Sequence, residues 1–400
     1  MYIPRTLSEK VITLSGFFPA VILSGARQTG KTTLLKNIFP DYNYVSLDLP
    51  SQAEQAESSP TRFLSEHGTP LIIDEIQYAP GLFRYIKGAI DKDRHRMGTY
   101  ILTGSQDISL MKHISESLAG RCGIVQLENL SVQEISQKLE VKESADSYLH
   151  LMSRGQFPEL WRAVDLPARE FYDAYLTTYL ERDVRQILNV TSLRDFERFI
   201  RILASRSGNM LNKTDIARDV GVSVKAIGDW LSVLEASGQI ILLEPWFSNF
   251  DKRIVKTPKV YFRETGLLCY LLGLNRNSLG NSAFLGSVWE TFVFSELRKI
   301  NAGLAEPVNF WYYRDQRARE VDFLIQTGDV LSFIECKWTE KPGKSDMQNI
   351  VAVSSELRKS GVRWRPGRHY IAANSAASYA LTDEIDVIMF EDLGQVLGPE

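Results

Sequence analysis

A nine-residue loop between an apolar strand and a helical pattern constrains the fold of this chain more than any other feature. Residues 25–33 read G-A-R-Q-T-G-K-T-T and match the pattern G-x-x-x-x-G-K-[ST]. Residues 21–24 before the loop suit a short buried strand, and the apolar spacing after it predicts a helix. A loop in this position points backbone N–H groups and the positive end of a helix dipole at an anion. The sequence therefore predicts a phosphate-binding loop.

The residues of this loop have distinct predicted roles in holding a nucleotide. Gly25 and Gly30 allow the backbone to wrap closely around phosphate. Lys31 can reach the β and γ phosphates, and Thr32 can hold magnesium. A chance match in a glycine-containing turn is the alternative, which the flanking strand and helix disfavour. The predicted cofactors are ATP and Mg²⁺, and the predicted nucleotide-binding residues are Gly25, Ala26, Arg27, Gln28, Thr29, Gly30, Lys31, Thr32, Thr33 and Ser105.

A second apolar strand ends in two carboxylates, as the Walker B pattern requires. Residues 70–75 read P-L-I-I-D-E, so Asp74 would orient magnesium and Glu75 would polarise the attacking water. Ser105 ends another apolar strand and could sense the γ phosphate. Arg121 could approach the same phosphate as an arginine finger, in cis or from a neighbouring subunit. A surface ion pair is an equally open interpretation of Arg121.

Composition excludes several classes of protein. At 400 residues with 44% hydrophobic content, two or three domains are expected. The net charge of −3 shows no global basic bias, so any nucleic-acid binding must come from local patches. Three scattered cysteines and five scattered histidines disfavour a disulfide framework or a local metal cluster. No signal peptide or membrane span is recognisable, which predicts a cytoplasmic protein.

The chain divides into four predicted regions. Residues 1–130 alternate strands with helices and predict an α/β fold, a parallel sheet of the P-loop NTPase type with helices on both faces. The predicted strands are residues 21–24, 44–47, 71–73, 100–103 and 124–127. Residues 131–208 are predicted to form a helical lid, residues 209–262 a winged helix, and residues 263–400 an α/β domain of the restriction-endonuclease type.

The winged-helix prediction rests on two short helices and two strands. Residues 213–220 and 224–235 have helical spacing, and residues 240–243 and 259–262 suit wing strands. Only Lys225 is basic near the start of the second helix, so base-specific reading is disfavoured. The wing cations suit phosphate contacts better; they are Lys252, Arg253, Lys256 and Lys259.

The last third of the chain carries a second possible chemistry. Asp322 lies on one predicted strand, and Glu335 and Lys337 lie two residues apart on the next. Side chains alternate along a strand, so Glu335 and Lys337 share one face and Asp322 can meet them. The carboxylates would hold magnesium, with Glu290 on a preceding helix completing the site, and Lys337 would position or deprotonate water. A surface ion pair on an edge strand is the alternative.

Seven basic residues follow this pattern and could track a DNA backbone. A solvated surface is an equally open interpretation of this density. The residues are Lys341, Lys344, Arg358, Lys359, Arg363, Arg365 and Arg368.

These motifs together resemble those of the bacterial and archaeal AAA-type ATPases that carry a C-terminal domain of unknown function numbered 4143. The resemblance also rests on S-L-A-G-R at residues 117–121, on P-K-V-Y-F at residues 258–262 and on R-E-V-D-F at residues 319–323. It implies an ATP-binding domain, a winged-helix segment and a PD-(D/E)xK nuclease-like domain, within the wider archaeal-ATPase and STAND-like group. Two positions depart from the family pattern, where Gln156 replaces a glycine and Glu264 replaces an aspartate.

The predicted function is ATP hydrolysis that controls a DNA-directed C-terminal domain, possibly a nuclease. A STAND-like signalling or scaffold ATPase, with a C-terminal domain that binds DNA or protein without cutting, is the alternative. A DNA-translocating motor is a third possibility and would need a ring of subunits. A homo-oligomer is therefore among the expected partners, together with ATP and DNA, whereas no membrane partner is expected.

Overall fold

The computed structural model describes residues 2–105, 117–139, 144–179, 193–246, 257–359 and 364–398. These residues belong to two compact units. The first comprises Met1–Leu130, Phe157–Arg162 and Ala236–Gly238, and the second comprises Ser131–Gln156, Ala163–Glu235 and Gln239–Glu400. None of the helices in the described ranges is long and apolar enough to cross a membrane.

The first unit is built on a five-stranded sheet in which every neighbouring pair is parallel. Its strands are β1 (Ala20–Gly25), β2 (Asn43–Ser46), β3 (Leu71–Asp74), β4 (Tyr100–Ser105) and β5 (Cys122–Gln126), in the order β2-β3-β4-β1-β5. The predicted α/β class with a parallel sheet is confirmed. All residues of β1 and β3 are buried, as expected for parallel strands whose two faces are both covered.

Five helices of this unit alternate with the strands. They are α1 (Ser8–Phe17), α2 (Lys31–Ile38), α3 (Pro50–Ser58), α4 (Pro60–His67) and α5 (Leu82–Lys92). Helix α5 shows why they pack on the sheet, because Leu82, Phe83, Ile86 and Ile90 recur at helical spacing and are all buried in the same core as Leu71.

The second unit opens with helices and a small antiparallel sheet. The sheet has the order β6-β8-β7, with β6 at Asn209–Met210, β7 at Ile240–Leu243 and β8 at Lys259–Phe262. Its helices are α6 (Val132–Leu139), α7 (Ala145–Arg154), α9 (Ala168–Tyr179), α10 (Leu193–Ala204), α11 (Lys213–Val220) and α12 (Val224–Ala236, whose last residue falls in the first unit), while α8 (Pro158–Arg162) belongs to the first unit. Helices α11 and α12 lie where sequence spacing predicted helices, and the winged-helix assignment itself stays a prediction.

A larger mixed sheet completes the second unit. It runs in the order β14-β15-β13-β11-β10-β9, and β12 pairs with β11. The strands are β9 (Asn309–Arg314), β10 (Glu320–Thr327), β11 (Val330–Lys337), β12 (Arg365–Pro366), β13 (His369–Ala373), β14 (Tyr379–Ala380) and β15 (Ile385–Met389). The accompanying helices are α13 (Thr265–Leu271), α14 (Arg276–Leu279), α15 (Leu285–Gly303) and α16 (Gln348–Lys359). Strand β11 is interior, so Glu335 and Lys337 do not lie on an edge strand, and only that part of the ion-pair alternative was wrong.

Candidate nucleotide site and carboxylate cluster

The predicted phosphate-binding loop joins β1 directly to the first residue of α2. Gly30 caps the helix in the left-handed region, at φ 92°, where glycine carries no steric cost. Gly25 is required by packing, because a Cβ there would lie 2.3 Å from the backbone oxygen of Leu127. Glycine is thus required at position 30 by the backbone conformation and at position 25 by the lack of space for a Cβ atom.

The Lys31 side chain folds back into the loop. It is only 5% exposed, and its Nζ donates to the backbone oxygens of Gly25 and Ala26 at 3.0 Å each. Burial lowers the pKa of Lys31, and the carboxylates of Glu75 and Asp74 oppose that shift. Because its two hydrogen-bond acceptors are neutral, the ammonium keeps a strong preference for an incoming anion.

Asp74, the last residue of β3, gathers three hydroxyl groups around one buried carboxylate. Thr32 and Tyr44 each donate to its Oδ2 at 2.8 Å, and Thr103 donates to its Oδ1. Burial and the bond to Asp74 raise the pKa of the Tyr44 phenol, which keeps this donor protonated. The adjacent Thr32 hydroxyl and Asp74 carboxylate are the hard oxygen ligands that magnesium prefers, so the residues fit the predicted ion.

Glu75 turns sharply away from the end of β3. Its backbone lies in the left-handed region at φ 57°, which is uncommon for a residue with a side chain and recurs at functional sites. Its N–H donates to Thr103 Oγ1 at 3.1 Å, and the Gln77 amide donates to its carboxylate. The backbone of Glu75 is thereby tied to β4, and Gln77 holds its carboxylate.

Sequence reasoning missed three residues that position this site. Tyr44 and Thr103 hold Asp74, and Arg5 braces the loop by donating to the backbone oxygens of Thr29 at 2.8 Å and Glu128 at 2.6 Å. Extending the parallel β3–β4 register by one residue places Thr103 opposite Asp74, so Thr103 could have been found from the pairing of the two strands. The Ser105 side chain lies outside the described part of the chain, so its predicted sensing role stays a prediction.

Arg121 lies at the amino ends of the strands, whereas the loop lies at their carboxyl ends. Its backbone oxygen accepts from the N–H of Ala20, the first residue of β1, whereas the loop follows the last residue. At about 3.3 Å per residue, β1 separates the two by on the order of 16 Å. The side chain pairs with Asp91 at 2.7 Å. This placement disfavours Arg121 as an arginine finger for the nucleotide of its own chain. It leaves two interpretations, an arginine finger for a neighbouring subunit and a surface ion pair.

The predicted residues of the C-terminal site do lie close together. Lys337 Nζ pairs with Glu335 Oε1 at 2.9 Å, and Asp322 Oδ2 accepts from the N–H of Cys336 at 2.8 Å. Asp322 lies where the pairing of β10 with β9 shifts register, an irregularity that re-aims a side chain. Burial, followed by the charge of Asp322, raises the pKa of Glu335 to about 8 and that of Glu290 to about 7.

A lysine that the sequence analysis assigned to DNA contact occupies this cluster. Lys259 is 1% exposed, and its Nζ lies 2.6 Å from Glu320, 3.1 Å from Glu290 and 3.7 Å from Asp322. The prediction that Lys259 contacts DNA was therefore wrong. Its strand β8 is buried along its whole length, so the side chain faces these carboxylates instead of solvent. The other wing cations, Lys252, Arg253 and Lys256, lie outside the described residues.

The predicted metal ligands of the C-terminal site do not form a ready metal site. Across the residues that the structure describes, no group of three or more His, Cys, Asp or Glu side chains could hold a metal ion. Glu290 and Asp322 face Lys259, and Glu335 faces Lys337. Glu290, Asp322 and Glu335 are thus each paired with an ammonium group of the protein.

Some basic residues of the C-terminal region form ion pairs with acidic side chains, and others are exposed lysines. Arg358 pairs with Glu384 at 2.6 Å, Arg365 pairs with Asp329 at 2.8 Å, and Arg368 pairs with Asp386. The exposed cations Lys341, Lys344 and Lys359 remain candidates for phosphate contact, while Arg363 lies outside the described residues. The DNA-contact prediction therefore rests on fewer charges than the sequence suggested.

Three family models match successive parts of the chain. One described as AAA domain matches residues 18–136, one described as Domain of unknown function (DUF8612) matches residues 145–278, and one described as Domain of unknown function (DUF4143) matches residues 285–393. The AAA and DUF4143 parts of the predicted resemblance are confirmed. The DUF8612 match was not predicted, and it overlaps both the predicted lid and the predicted winged helix.

Two mycobacterial proteins match most of the chain. They are Uncharacterized protein Rv2008c of Mycobacterium tuberculosis and Uncharacterized protein Mb2031c of Mycobacterium bovis, each 30% identical over 370 residues, covering 92% of this chain and 81% of the relative. The chain belongs to the family of these two proteins. In this chain an AAA-type region is followed by a DUF4143 region.

Solved structures show weaker likenesses. The Walker-type ATPase PABY2304 of Pyrococcus abyssi has 15% identity and a TM-score of 0.45, covering 66% of this chain and 94% of its own. The STAND protein PH0952 of Pyrococcus horikoshii, which has a tetratricopeptide repeat sensor, has 12% identity and a TM-score of 0.29, covering 75% and 47%. At these scores neither likeness bears on function.

Proposed function

We propose that this protein hydrolyses ATP and that its nucleotide state controls a C-terminal domain directed at DNA. The observation that carries the proposal is the convergence of Lys31, Thr32, Asp74 and Glu75 at the carboxyl ends of β1 and β3. In open α/β sheets this edge is where ligands bind. The cluster also supplies the ammonium, oxygen ligands and second carboxylate that phosphoryl transfer requires.

Each residue has a defined task in this proposal. The Lys31 ammonium leaves its two backbone acceptors for the β and γ phosphates, and Thr32 and Asp74 hold the cation. Magnesium, when bound, supplies charge neutralisation on the phosphates. Glu75, fixed by Thr103 and Gln77, accepts a hydrogen bond from the attacking water and orients it toward the γ phosphorus. Preorganised charge of this kind lowers the barrier without covalent chemistry by the protein.

The decisive experiment compares two lysines of the same helix. Calorimetric titration with ATP and Mg²⁺, together with a phosphate-release assay, is carried out on the wild type, on Lys31→Ala and on Lys36→Ala. Lys36 is exposed on α2 and lies over the Tyr44 ring, with Nζ 3.8 Å from its centroid. We expect Lys31→Ala alone to abolish turnover. Equal turnover in the wild type and Lys31→Ala would refute the site.

Metal-dependent phosphodiester cleavage is a second candidate for the C-terminal domain. The juxtaposition of Asp322, Glu335 and Lys337 on β10 and β11 supports it. The assay offers linear, nicked and branched DNA with Mg²⁺ or Mn²⁺ to the wild type, Asp322→Asn and Lys337→Ala. Cutting that disappears in both variants supports a nuclease. Without cutting, the signalling alternative remains, and it predicts that ATP changes the size of the assembly.

A further inference from the structure

The carboxylate cluster of the second unit already contains a cation that belongs to the protein. Lys259 extends from β8 to Glu290 on α15 and to Glu320 and Asp322 on β10, with its Nζ within 2.6–3.7 Å of one oxygen of each. A side chain 1% exposed cannot exchange these partners for water. Three carboxylates from two elements thus converge on one ammonium group.

Further donors of the protein hold the same three carboxylates. Tyr261 donates its hydroxyl to the Glu290 oxygen that faces Lys259, and Arg314 pairs with the second oxygen of Glu320. The second oxygen of Asp322 accepts from the backbone of Cys336. Each of these three carboxylates is therefore held in place by donors of this chain.

A divalent cation would need the space and the oxygens that Lys259 uses. Magnesium requires oxygen ligands at about 2.0–2.1 Å in octahedral geometry, and calcium requires six to eight at about 2.3–2.6 Å. An ammonium group among these carboxylates repels a second cation and occupies the oxygens that the ion would need as ligands. Burial opposes its charge, but Glu290 and its neighbours outweigh burial and hold the pKa of Lys259 well above its usual value.

We propose that Lys259 is a built-in cation that takes the place of a divalent ion between Glu290, Glu320 and Asp322. It closes the nuclease-like pocket to metal as long as β8 keeps its position. This inference concerns the second candidate function and is independent of ATP hydrolysis. Cleavage by this domain would then require Lys259 to be withdrawn from the cluster.

The test is a gain of metal binding on removal of the lysine. The full chain without nucleotide is titrated with Mn²⁺ by calorimetry and by electron paramagnetic resonance, as wild type, Lys259→Met and Lys259→Arg. We expect Lys259→Met to acquire a Mn²⁺ site at least tenfold tighter than any in the wild type, and we expect the added change Asp322→Asn to remove it. Lys259→Arg keeps the charge and should gain no site.

A second variant protects the test against a failure to fold. Lys259→Met leaves three partly buried carboxylates without their shared cation, so Lys259→Met/Glu320→Gln is measured beside it, with thermal melts to verify folding. A Mn²⁺ site in either folded variant that depends on Asp322 supports the proposal. A wild-type site that depends on Asp322 and is equally tight in Lys259→Met overturns it. So does the absence of a new site in a folded variant. ATP turnover, measured in parallel, reports on the first proposal separately.

Discussion

Two buried lysines with opposite surroundings distinguish the two sites of this protein. Lys31 is held by two neutral backbone oxygens, and burial lowers its pKa. Lys259 is held by three carboxylates, which outweigh burial and raise its pKa. The first ammonium gains from an arriving anion, whereas the second is already fully paired. The role of a lysine within a sequence motif therefore cannot be assigned until its hydrogen-bond acceptors are known.

The comparison would sharpen most if a second copy of the chain supplied an arginine to the nucleotide site. Arg121 lies at the end of its own sheet opposite the loop, so it would reach a nucleotide only in a neighbouring copy. We predict that Arg121→Ala lowers ATP turnover about 10³-fold or more, as loss of an arginine finger does. Mixing Arg121→Ala with Lys31→Ala should restore turnover, because one variant keeps an intact loop and the other keeps the arginine. Phosphate release by the mixture and by each variant alone measures this. If the mixture is as inactive as each variant alone, Arg121 does not act in trans, and its role is the ion pair with Asp91.

Glutamates from the two sites provide the next test. Glu75→Gln should lower ATP turnover by roughly 10²–10⁴-fold while ATP still binds, because the amide no longer accepts from the attacking water as a carboxylate does. Glu335→Gln, a matched change in the carboxylate cluster, should leave turnover within about twofold. Single-turnover hydrolysis and nucleotide binding are measured for both. A comparable loss in Glu335→Gln would mean that the two sites do not act as separate centres.

Replacement of each lysine by methionine tests the electrostatic contrast through stability. We expect Lys259→Met to lower the free energy of unfolding by about 3–5 kcal/mol, since three partly buried carboxylates lose the cation that they share. Lys31→Met should change it by less than about 2 kcal/mol, because removal of a buried charge offsets the loss of hydrogen bonds to two neutral acceptors. Urea unfolding at pH 7 measures both. Equal losses would remove the distinction drawn between the two ammonium groups.

The smallest predicted effect is a dependence of stability on pH. Burial raises the pKa of Glu335 from 4.5 to about 8, so the folded state binds a proton that the unfolded state has lost. This contribution is fully present below pH 4.5 and is lost as the pH rises toward 8. Between pH 5 and 8 the wild type should lose at least about 1.4 kcal/mol more than Glu335→Gln, the equivalent of one pKa unit. Parallel unfolding curves for the two proteins across this range would contradict the raised pKa.

The nucleotide site was largely predictable because its signals are local. The loop motif, the strand before it and the acidic end of residues 70–75 each occupy a short stretch, and the structure brings Thr32, Asp74 and Glu75 together as expected. Tyr44 and Thr103 were missed because each becomes important only through the lateral pairing of strands distant in sequence.

The carboxylate cluster was only half predictable for the same physical reason. The spacing of Glu335 and Lys337 placed them together, and the structure joins them. Lys259 lies 63 residues before Asp322 in a run of mixed charge, and nothing in its neighbourhood indicates burial among acids. A basic residue in a predicted exposed wing is normally solvated, and here the complete burial of β8 overrides that expectation.

The arrangement around Asp74 has a mechanical consequence. Tyr44, which donates to this carboxylate, belongs to β2, the edge strand of the parallel sheet and the third strand over from β1. A cation that binds Asp74 Oδ2 directly would compete with the Tyr44 phenol for that oxygen. Binding and release of the cation would thus move a side chain of the edge strand, where another molecule could contact it without touching the phosphates.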